Sequence, residues 1–511
     1  MRRMVRASLV AISGIAAVAV AVPYATARQN TQHLSPAALA VSAADQLASA
    51  GTGQLAKGPD ETFVRGDVVT GAGGLQYVSY ERTYHGVPVI GGDAVVVTDS
   101  SGHVLSVSSA MSRPMAMPAM TTSVRADAAA GTARALAAGT TAVSAPRQMV
   151  LVRDTAQLAW EVVTVGRNGN LPSRVHTFVD ARSGAVLDSY DEVRADTGNG
   201  FYDGKVTINT TPGKLVDPTR TGLSCGPLST HQPFTNGSTT WGNGKGTDLK
   251  TGCVDAFFTV EKETDMLKTW LGRNGLNGKG REFPLFVGLN QVNAFWDGQS
   301  GNFGHTSDNK RQATSIDVVA HEMGHAVFQF TPGGTGSGNE NGGINEATGD
   351  IFGALTEAFA NIPSDKPDFT VGEKVNLVGN GPIRFMFNPS LAGDPNCFSS
   401  AIPRTEVHSA AGPLNHWFYL VAEGTSPTDG QPKSPTCNNS TVKGLGVRVA
   451  GQIYMGALMR KTSTWRYATV RVASLQAVRQ LFPNGCTQFN TVKAAWNAIS
   501  VPAQAGEPTC A

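Results

Sequence analysis

Apolar and polar residues alternate through much of the region from about residue 62 to 110, a pattern that predicts β-strands. The valine-rich segments 94–98 and 104–107 flank an Asp-Ser-Ser-Gly turn, so we expect them to form a hairpin. Before them, an Ala/Ser-rich stretch near 36–49 is compatible with one helix. The first part of the chain therefore predicts a small unit with one helix and a sheet.

A second unit of the same kind is predicted next. A short Ala-rich helix is expected near 121–137, with Thr121 or Thr122 available as its N-terminal cap. Residues 148–191 contain four apolar segments separated by glycine-containing turns, which predicts a meander of four strands.

The pattern changes again in the second half of the chain. From about residue 195 a β-rich stretch is expected, with one helix near 253–272, and from residue 314 onward the apolar period becomes helical. Helices are predicted over 314–330, 345–361, 412–423, 443–461, 464–482 and 488–499. A β-rich lobe followed by a helical lobe predicts a cleft between them.

Two helices of this region carry the residues of a zinc hydrolase site. His321 and His325 are four residues apart, so on a helix their imidazoles lie on one face and can share a metal. Glu322 is placed to take a proton from a metal-bound water. One helix later, Glu346 supplies a third ligand, and Asp350 is placed to accept a hydrogen bond from a ligand histidine. The short connection between the helices predicts that they pack antiparallel.

Four further carboxylates are predicted to hold calcium. Asp317 precedes the first histidine by four residues, and Glu357 lies on the same face of the second helix as Glu346. Asp368 and Glu373 follow in the next loop. Four acidic side chains without histidine or cysteine suit calcium, and the alternative is a solvated acidic surface.

Composition narrows the possible partners. The 511 residues are too many for one hydrophobic core, and 41 basic residues face 39 acidic ones. This balance gives no basis for binding nucleic acid or an anionic membrane. Three arginines among the first six residues precede an Ala/Val-rich run that ends at Ala-Thr-Ala (25–27), which predicts a secretory signal and an extracellular protein. A membrane anchor is the alternative reading of this run.

All six cysteines lie beyond residue 220. An even number of cysteines in an exported chain predicts disulfides, and six allow fifteen connectivities. Loop-closure entropy favours neighbours in sequence, so the expected pairs are Cys225–Cys253, Cys397–Cys437 and Cys486–Cys510.

The first 194 residues contain neither cysteine nor a candidate catalytic cluster. We therefore expect a propeptide there, with a permanent accessory domain as the alternative. The predicted division is a signal peptide (1–27), a first pro-subdomain with its linker (28–110), a second pro-subdomain (111–194), a β-rich catalytic lobe with the start of the active-site helix (195–335) and a helical lobe (336–511).

The segment 317–361 strongly resembles the thermolysin-like (neutral) zinc metallopeptidases, and the resemblance extends over nearly the whole chain. Residues 80–93 and 158–184 resemble the two parts of that family's propeptide, and the mature enzyme would begin near Ala195. The resemblance implies an α+β chain in which two small α+β pro-subdomains precede a thermolysin-like catalytic domain. Its zinc site would lie in the cleft between the β-rich and the all-helical lobe.

The resemblance also implies roles for single residues. His321, His325 and Glu346 would bind one zinc ion, Glu322 would be the general base, and Asp350 would orient a ligand histidine. His408 would stabilise the transition-state oxyanion, and Arg384 would bind a substrate carbonyl. The remaining implied residues are the substrate-strand pair Asn293 and Ala294, the apolar-pocket residues Val318 and Ile383, and the calcium ligands Asp317, Glu357, Asp368 and Glu373. Without the family, 293–296 reads as an ordinary core strand and Arg384 as a surface or ion-pair residue.

Two positions depart from the family pattern. Ser337, in a glycine-rich loop, stands where the family usually has a tyrosine that helps to hold the oxyanion. Thr370 stands where another calcium carboxylate is common, so a single structural calcium ion is expected. Loss of one oxyanion donor costs on the order of 10²–10³ in rate in other enzymes.

The sequence thus predicts a secreted zinc endopeptidase, made as an inhibited pro-enzyme, that cleaves polypeptides before bulky hydrophobic residues. We expect a monomer whose own propeptide acts as chaperone and inhibitor. A zinc aminopeptidase and a secreted, zinc-stabilised pseudoenzyme that only binds are the alternatives. An aminopeptidase needs an acidic anchor for the substrate amine, and a pseudoenzyme has no turnover.

Overall fold

The computed structural model describes residues 34–510 apart from residues 52, 71–73, 116–119, 138, 154 and 169–170. The predicted signal peptide lies outside the described residues. The described residues form two compact units, one within Met1–Ala119 and Met149–Gln157 and one within Met120–Gln148 and Leu158–Ala511. Among the described residues, no helix has both the length and the apolar character needed to cross a bilayer.

The first unit packs one helix on an antiparallel sheet, and its elements are α1 (Pro36–Ala50), β1 (Glu61–Thr70), β2 (Gln76–Tyr84), β3 (Val87–Thr98) and β4 (Val104–Ser109). The hydroxyl of Ser35 caps α1. Ala40, Ala44 and Ala48 recur every four residues, so one face of α1 packs on the sheet around Val78. The helix and the β3–β4 hairpin confirm the prediction for this region.

The second predicted unit also has one helix and several strands, namely α2 (Ala126–Leu136), β5 (Thr140–Val143), β6 (Arg147–Val152), β7 (Ala156–Asn168), β8 (Leu171–Asp180) and β9 (Val186–Asp191). The four predicted strands are therefore confirmed, and β7, β8 and β9 pair antiparallel in sequence order. The predicted cap is wrong. Helix α2 begins after Arg125, and the hydroxyl of Thr122 instead accepts a hydrogen bond from Gln148.

A β-rich lobe follows, with the elements β10 (Arg194–Asn199), β11 (Lys205–Thr210), β12 (Ser224–Pro227), β13 (Thr240–Trp241), α3 (Leu249–Thr269), β14 (Pro284–Val287), β15 (Ala294–Trp296) and β16 (Gly301–Phe303). Strands β10, β11 and β13 form one small sheet, and β12, β14, β16 and β15 form another in that order. Helix α3 begins four residues before the predicted position because Asp248 caps it by accepting the N–H of Thr251 at 2.8 Å.

The last part of the chain is helical and consists of α4 (Ile316–Gln329), α5 (Asn339–Ala360), β17 (Thr370–Val371), β18 (Arg384–Phe385), α6 (Val407–Ala410), α7 (Gly412–Ala422), α8 (Val447–Leu458), α9 (Tyr467–Leu481) and α10 (Cys486–Ala498). The predicted helical lobe is thus confirmed. Helix α5 begins six residues before the predicted position. Its first turns are polar and glycine-rich because Gly342 and Gly343 lie against Val407 and Ala410, where a Cβ would have no space.

The three disulfides are those that loop closure favoured: Cys225–Cys253, Cys397–Cys437 and Cys486–Cys510. The first ties β12 to α3, and the other two lie in the helical lobe.

Helices α4 and α5 approach each other closely because glycines line their contact. A Cβ on Gly324 would lie 2.9 Å from the Cα of Gly349, and one on Gly353 would lie 2.9 Å from the carbonyl oxygen of Asp317. A Cβ on Gly349 would lie 2.5 Å from Nδ1 of His321. This spacing lets side chains from one helix reach the histidines of the other.

The Gly349→Ala variant tests this close approach. Its methyl group must displace the buried His321 ring, and overpacking of this kind costs about 1–3 kcal/mol of unfolding free energy. Urea denaturation followed by tryptophan fluorescence measures the loss. The control is Gly131→Ala in α2, where no heavy atom lies within 4 Å of the added Cβ. Equal stability of the two variants would contradict the packing argument.

Candidate active site

The three predicted zinc ligands converge in the structure. One ligand atom from each of His321, His325 and Glu346 lies within 4.8 Å of the others. The Nε2 atoms of the histidines are 3.5 and 3.7 Å from the two carboxylate oxygens of Glu346. The imidazole rings stand nearly perpendicular, with their centroids 4.7 Å apart. Both Nε2 atoms therefore face one small space, which Glu346 borders from the other helix.

The other nitrogen of each ring contacts an acceptor. Nδ1 of His321 is 2.8 Å from Oδ1 of Asp350, and Nδ1 of His325 is 3.2 Å from Oδ1 of Asn345. Because each Nδ1 can donate to its acceptor, each Nε2 keeps a lone pair for a metal. Asp350 was predicted for this position, whereas Asn345 was missed. Its place beside Glu346 in the sequence was the only available signal.

Asp350 connects this site to β18 and α7. It is 1% exposed and accepts Nε and Nη2 of Arg384 at 2.7 and 2.6 Å, and Nδ2 of Asn415 at 2.6 Å. Burial alone would raise the pKa of Asp350, but the charge of Arg384 and the hydrogen bond of His321 hold it well below its usual value. Arg384 is therefore a buried ion-pair residue, and the surface alternative for it is excluded.

Glu346 is held as a carboxylate in spite of its burial. Burial would raise the pKa of Glu346, but the adjacent imidazole of His321 and the charges of His325 and His408 outweigh desolvation and lower it to about 2. Its Oε2 is buried, and in the part of the chain that the structure describes no hydrogen-bond donor pairs with it. Two imidazole nitrogens and an ionised carboxylate oxygen without a donor fit the ligand set of a catalytic zinc ion.

The predicted general base and oxyanion residue lie at the same site. Glu322 is 6% exposed, and its charge acts on neighbouring His321. His408 lies at the start of α6, with Nε2 3.4 Å from Oε2 of Glu346. Its Nδ1 is 2.7 Å from Oε1 of Glu406, whose other oxygen accepts the N–H groups of His408 and Ser409. Glu406 was not predicted, although a carboxylate two residues before a candidate histidine was a signal that could have been used.

A second group of acids lies beside α5. Carboxylate oxygens of Glu357, Asp365 and Glu373 lie within 4.8 Å of one another. In the described part of the chain, both oxygens of Asp365 and one oxygen of each glutamate are buried without a hydrogen-bond donor. Burial and the surrounding acids raise the pKa of Asp365 to about 7 and that of Glu373 to about 9. Asp365 was missed by the sequence analysis.

Two of the predicted calcium ligands lie just outside this group. Asp317 is 2% exposed, and its carboxylate accepts hydrogen bonds from Ser315, Val318 and Gly372. Asp368 accepts the N–H and the hydroxyl of Thr370, both at 2.7 Å. Their charges nevertheless contribute to the raised pKa of Glu357, so all five acids share one region.

The predicted substrate strand is an edge strand. Ala294 begins β15, which pairs antiparallel with β16 and ends the four-stranded sheet. Asn293 precedes it and is exposed. Val318 is 8% exposed and packs beside Ala294, Tyr202 and Val375.

Two other positions noted in the sequence are Ile383 and Ser337. Ile383 is 37% exposed and contacts Gly372, and the apolar cluster around Val318 does not include it. Ser337 lines a cavity of about 240 Å³ together with residues of the α8–α9 turn such as Trp465. No predicted zinc ligand lines that cavity.

The Arg384→Leu variant tests the buried Asp350 network. It leaves the carboxylate of Asp350 buried without its cation, which costs about 3–5 kcal/mol of unfolding free energy. Urea denaturation measures the loss. Arg125→Leu is the control because the ion pair of Arg125 with Asp127 is exposed and its loss should leave the midpoint unchanged. A midpoint for Arg384→Leu equal to that of the control would show that the pair is not structural.

Three protein-family models match successive parts of the chain. The Fungalysin/Thermolysin Propeptide Motif matches residues 61–111. The thermolysin metallopeptidase catalytic domain matches residues 195–329, and the thermolysin metallopeptidase α-helical domain matches residues 337–501. The two thermolysin models together cover more than half of the chain.

Curated relatives agree with these models. The chain is 38% identical over 472 residues to the transglutaminase-activating metalloprotease of Streptomyces mobaraensis, covering 88% of this chain and 62% of that protein. It is 29% identical over 382 residues to the thermostable neutral protease NprT of Geobacillus stearothermophilus, covering 68% of this chain and 67% of that protein. It is 28% identical over 393 residues to a thermolysin of Alicyclobacillus acidocaldarius, covering 70% of this chain and 69% of that protein.

The chain thus spans about three fifths of the length of the Streptomyces relative. The propeptide motif, the catalytic domain and the helical domain follow one another in the predicted order, and the resemblance seen in the sequence is confirmed. The chain belongs to the family of thermolysin-like metallopeptidases.

Proposed function

We propose that this protein is a secreted zinc endopeptidase made as an inhibited precursor. One observation carries the proposal: two imidazole nitrogens and the Glu346 carboxylate face one space, while Asp350 and Asn345 accept from the far sides of the rings. The family membership supports this function over an aminopeptidase or a pseudoenzyme. The name of the Streptomyces relative assigns it a protein target, which supports polypeptide substrates for this chain.

His321, His325 and Glu346 would hold one zinc ion. When bound, zinc acts as a Lewis acid that lowers the pKa of a coordinated water. Glu322 takes a proton from the attacking water and passes it to the leaving amine. His408, held through Nδ1 by Glu406, would donate from Nε2 to the oxyanion. Arg384, fixed by Asp350, would bind a substrate carbonyl.

An extended substrate would add to the free edge of β15. The backbone of Ala294 and the side-chain amide of Asn293 would bind the peptide by β-augmentation. Val318 and Ile383 would receive the bulky apolar residue that follows the scissile bond. Cleavage before hydrophobic residues is the expected specificity.

Residues 28–194 would form the propeptide, and the mature enzyme would begin near Ala195. The propeptide motif in residues 61–111 and the match of the catalytic domain from residue 195 support this division. The propeptide assists folding and blocks the cleft until it is removed. Residues 1–27 direct export, and the mature protein acts outside the cell as a monomer.

One structural calcium ion would bind beside α5. Glu357, Asp365 and Glu373 form the ligand group, and Asp317 and Asp368 add negative charge next to it. Buried carboxylate oxygens without donors support a cation here because buried like charges otherwise repel.

The Glu322→Gln variant tests the proposed function. It keeps the size of the side chain and all three zinc ligands, so it should bind zinc and lose hydrolysis of an internally quenched, N-blocked peptide by at least about 10²-fold. Asp308→Asn, at an exposed loop, is the matched control and should keep full turnover.

Three outcomes separate the candidates. Cleavage of the N-blocked peptide that a zinc chelator abolishes supports an endopeptidase. Cleavage only of peptides with a free amino terminus supports an aminopeptidase, and zinc binding without any cleavage supports a pseudoenzyme. Undiminished turnover by Glu322→Gln contradicts the role of Glu322.

The Asp365→Asn variant tests the calcium site. At a calcium concentration of about 100 times its Kd, the ion should add about 2.7 kcal/mol to the stability of the wild-type protein. The variant should lose at least half of this gain because it removes one charged ligand, whereas Asp308→Asn should keep it. Thermal unfolding at a series of calcium concentrations measures the effect, and an equal response of both variants would exclude Asp365 as a ligand.

A further inference from the structure

His176 lies between two glutamates in the predicted second pro-subdomain. It is on β8, and its Nδ1 is 2.8 Å from Oε1 of Glu161 on β7. Its Nε2 is 3.1 Å from Oε2 of Glu192, the residue that follows β9. The side chain of His176 is 15% exposed, and its ring stacks on that of Tyr190 with centroids 5.0 Å apart and an angle of 2°. Both nitrogens of one ring thus contact carboxylates from different parts of the chain.

Arginines face the same two glutamates. Nη2 of Arg147 is 2.8 Å from Oε2 of Glu161, and Nε of Arg174 is 2.7 Å from Oε2 of Glu192. The neighbouring Asp191 accepts from the hydroxyl of Ser173 and from the backbone of Arg174. The two glutamate charges are therefore compensated in part by arginine. His176 contacts the glutamate of each arginine–glutamate pair.

Glu192 lies three residues before Ala195, where the mature enzyme is proposed to begin. The N–H of Glu192 donates to the carbonyl oxygen of Arg174 at 2.9 Å. The cleavage position itself lies in β10, where Arg194 pairs with Thr210 and Ala195 with Asn209. A protease must pull this segment out of its strand, so contacts that hold Glu192 oppose cleavage.

We propose that Glu161, His176 and Glu192 form a pH-dependent clamp that holds the maturation site closed while His176 carries both protons. This rests on the proposed function only in taking the bond before Ala195 as the maturation site. The doubly protonated ring donates to both carboxylates. The neutral ring has one donor and one acceptor, so it turns a lone pair toward one of them.

The direction of the pH effect follows from the contacts. The hydrogen bond of Glu161 raises the pKa of His176, burial opposes this, and Glu192 adds to the rise, so that the pKa lies above its usual value. A histidine with a raised pKa in the folded state stabilises the fold fully below the pKa of the unfolded chain, about 6.5. That stabilisation is lost as the pH rises through the folded-state pKa. The clamp is therefore closed in acid and loosens toward alkaline pH.

The full-length Glu322→Gln precursor, which should not process itself, provides the test. Dilute trypsin cleaves after arginine, and mass spectrometry follows the product of cleavage between Arg194 and Ala195 from pH 5.5 to 9. Each rate is divided by the trypsin rate on a short arginine peptide at the same pH. We expect the corrected rate to rise at least fivefold, with a midpoint above pH 6.5. His176→Gln should give a rate without this rise.

Two further variants sharpen the test. Glu192→Gln removes one of the two charges, so the midpoint should move to lower pH. His103→Gln is the matched control, because His103 bonds Asp99 on an exposed hairpin, and it should behave like the unsubstituted precursor. If His176→Gln fails to fold, hydrogen exchange measured on the Glu322→Gln precursor takes the place of that variant. Peptides that span 186–199 should then exchange faster above the midpoint, after correction for the intrinsic pH dependence of exchange.

A corrected rate that is independent of pH, or the same rise in His176→Gln, would overturn the clamp. So would corrected exchange of 186–199 that does not change with pH. The assay needs no catalytic activity from the chain. If the protein does not cleave the quenched peptide but trypsin cleavage after Arg194 depends on pH, the proposed function is rejected and the clamp is kept. If the protein cleaves the quenched peptide but trypsin cleavage after Arg194 does not depend on pH, the clamp is rejected and the proposed function is kept.

Discussion

The candidate active site depends on the close contact between α4 and α5. Gly324, Gly349 and Gly353 have no side chain, so the two helices approach until the carboxylate of Glu346 reaches the histidines of α4. A methyl group at Gly349 would occupy the space next to Nδ1 of His321. The backbone contact therefore determines both where the ligands lie and how the imidazoles are turned.

Buried charge is concentrated along the same two helices. Near the histidines it is paired, since Asp350 accepts from His321, Arg384 and Asn415. Farther along α5 it is compensated only in part. Glu357, Asp365 and Glu373 have raised pKa values and oxygens without hydrogen-bond donors, and Nζ of Lys374 lies 3.7 Å from Oδ1 of Asp365. The first arrangement fits a site whose ligand geometry is fixed by protein groups, and the second fits a site that a cation must neutralise.

Local spacing predicted the parts of this site that one helix controls. His321 and His325 are four residues apart, and Glu346 and Asp350 are four apart, so helical geometry alone placed each pair on one face. Contacts between distant segments were harder to predict. Asn415 reaches Asp350 from α7, and Asp365 joins Glu357 from a loop, and neither partner has a local pattern that indicates it. The early start of α5 was missed because glycine and asparagine have low helix propensity, so its first residues do not look helical in the sequence. Packing stabilises the helix there.

The central claim is that one zinc ion binds between α4 and α5. Anomalous X-ray diffraction at the zinc edge, on crystals of the matured protein, tests it most directly. We expect one strong peak at about 2.0–2.2 Å from Nε2 of His321, Nε2 of His325 and a carboxylate oxygen of Glu346. An empty site in crystals of protein that still hydrolyses peptides would contradict the account.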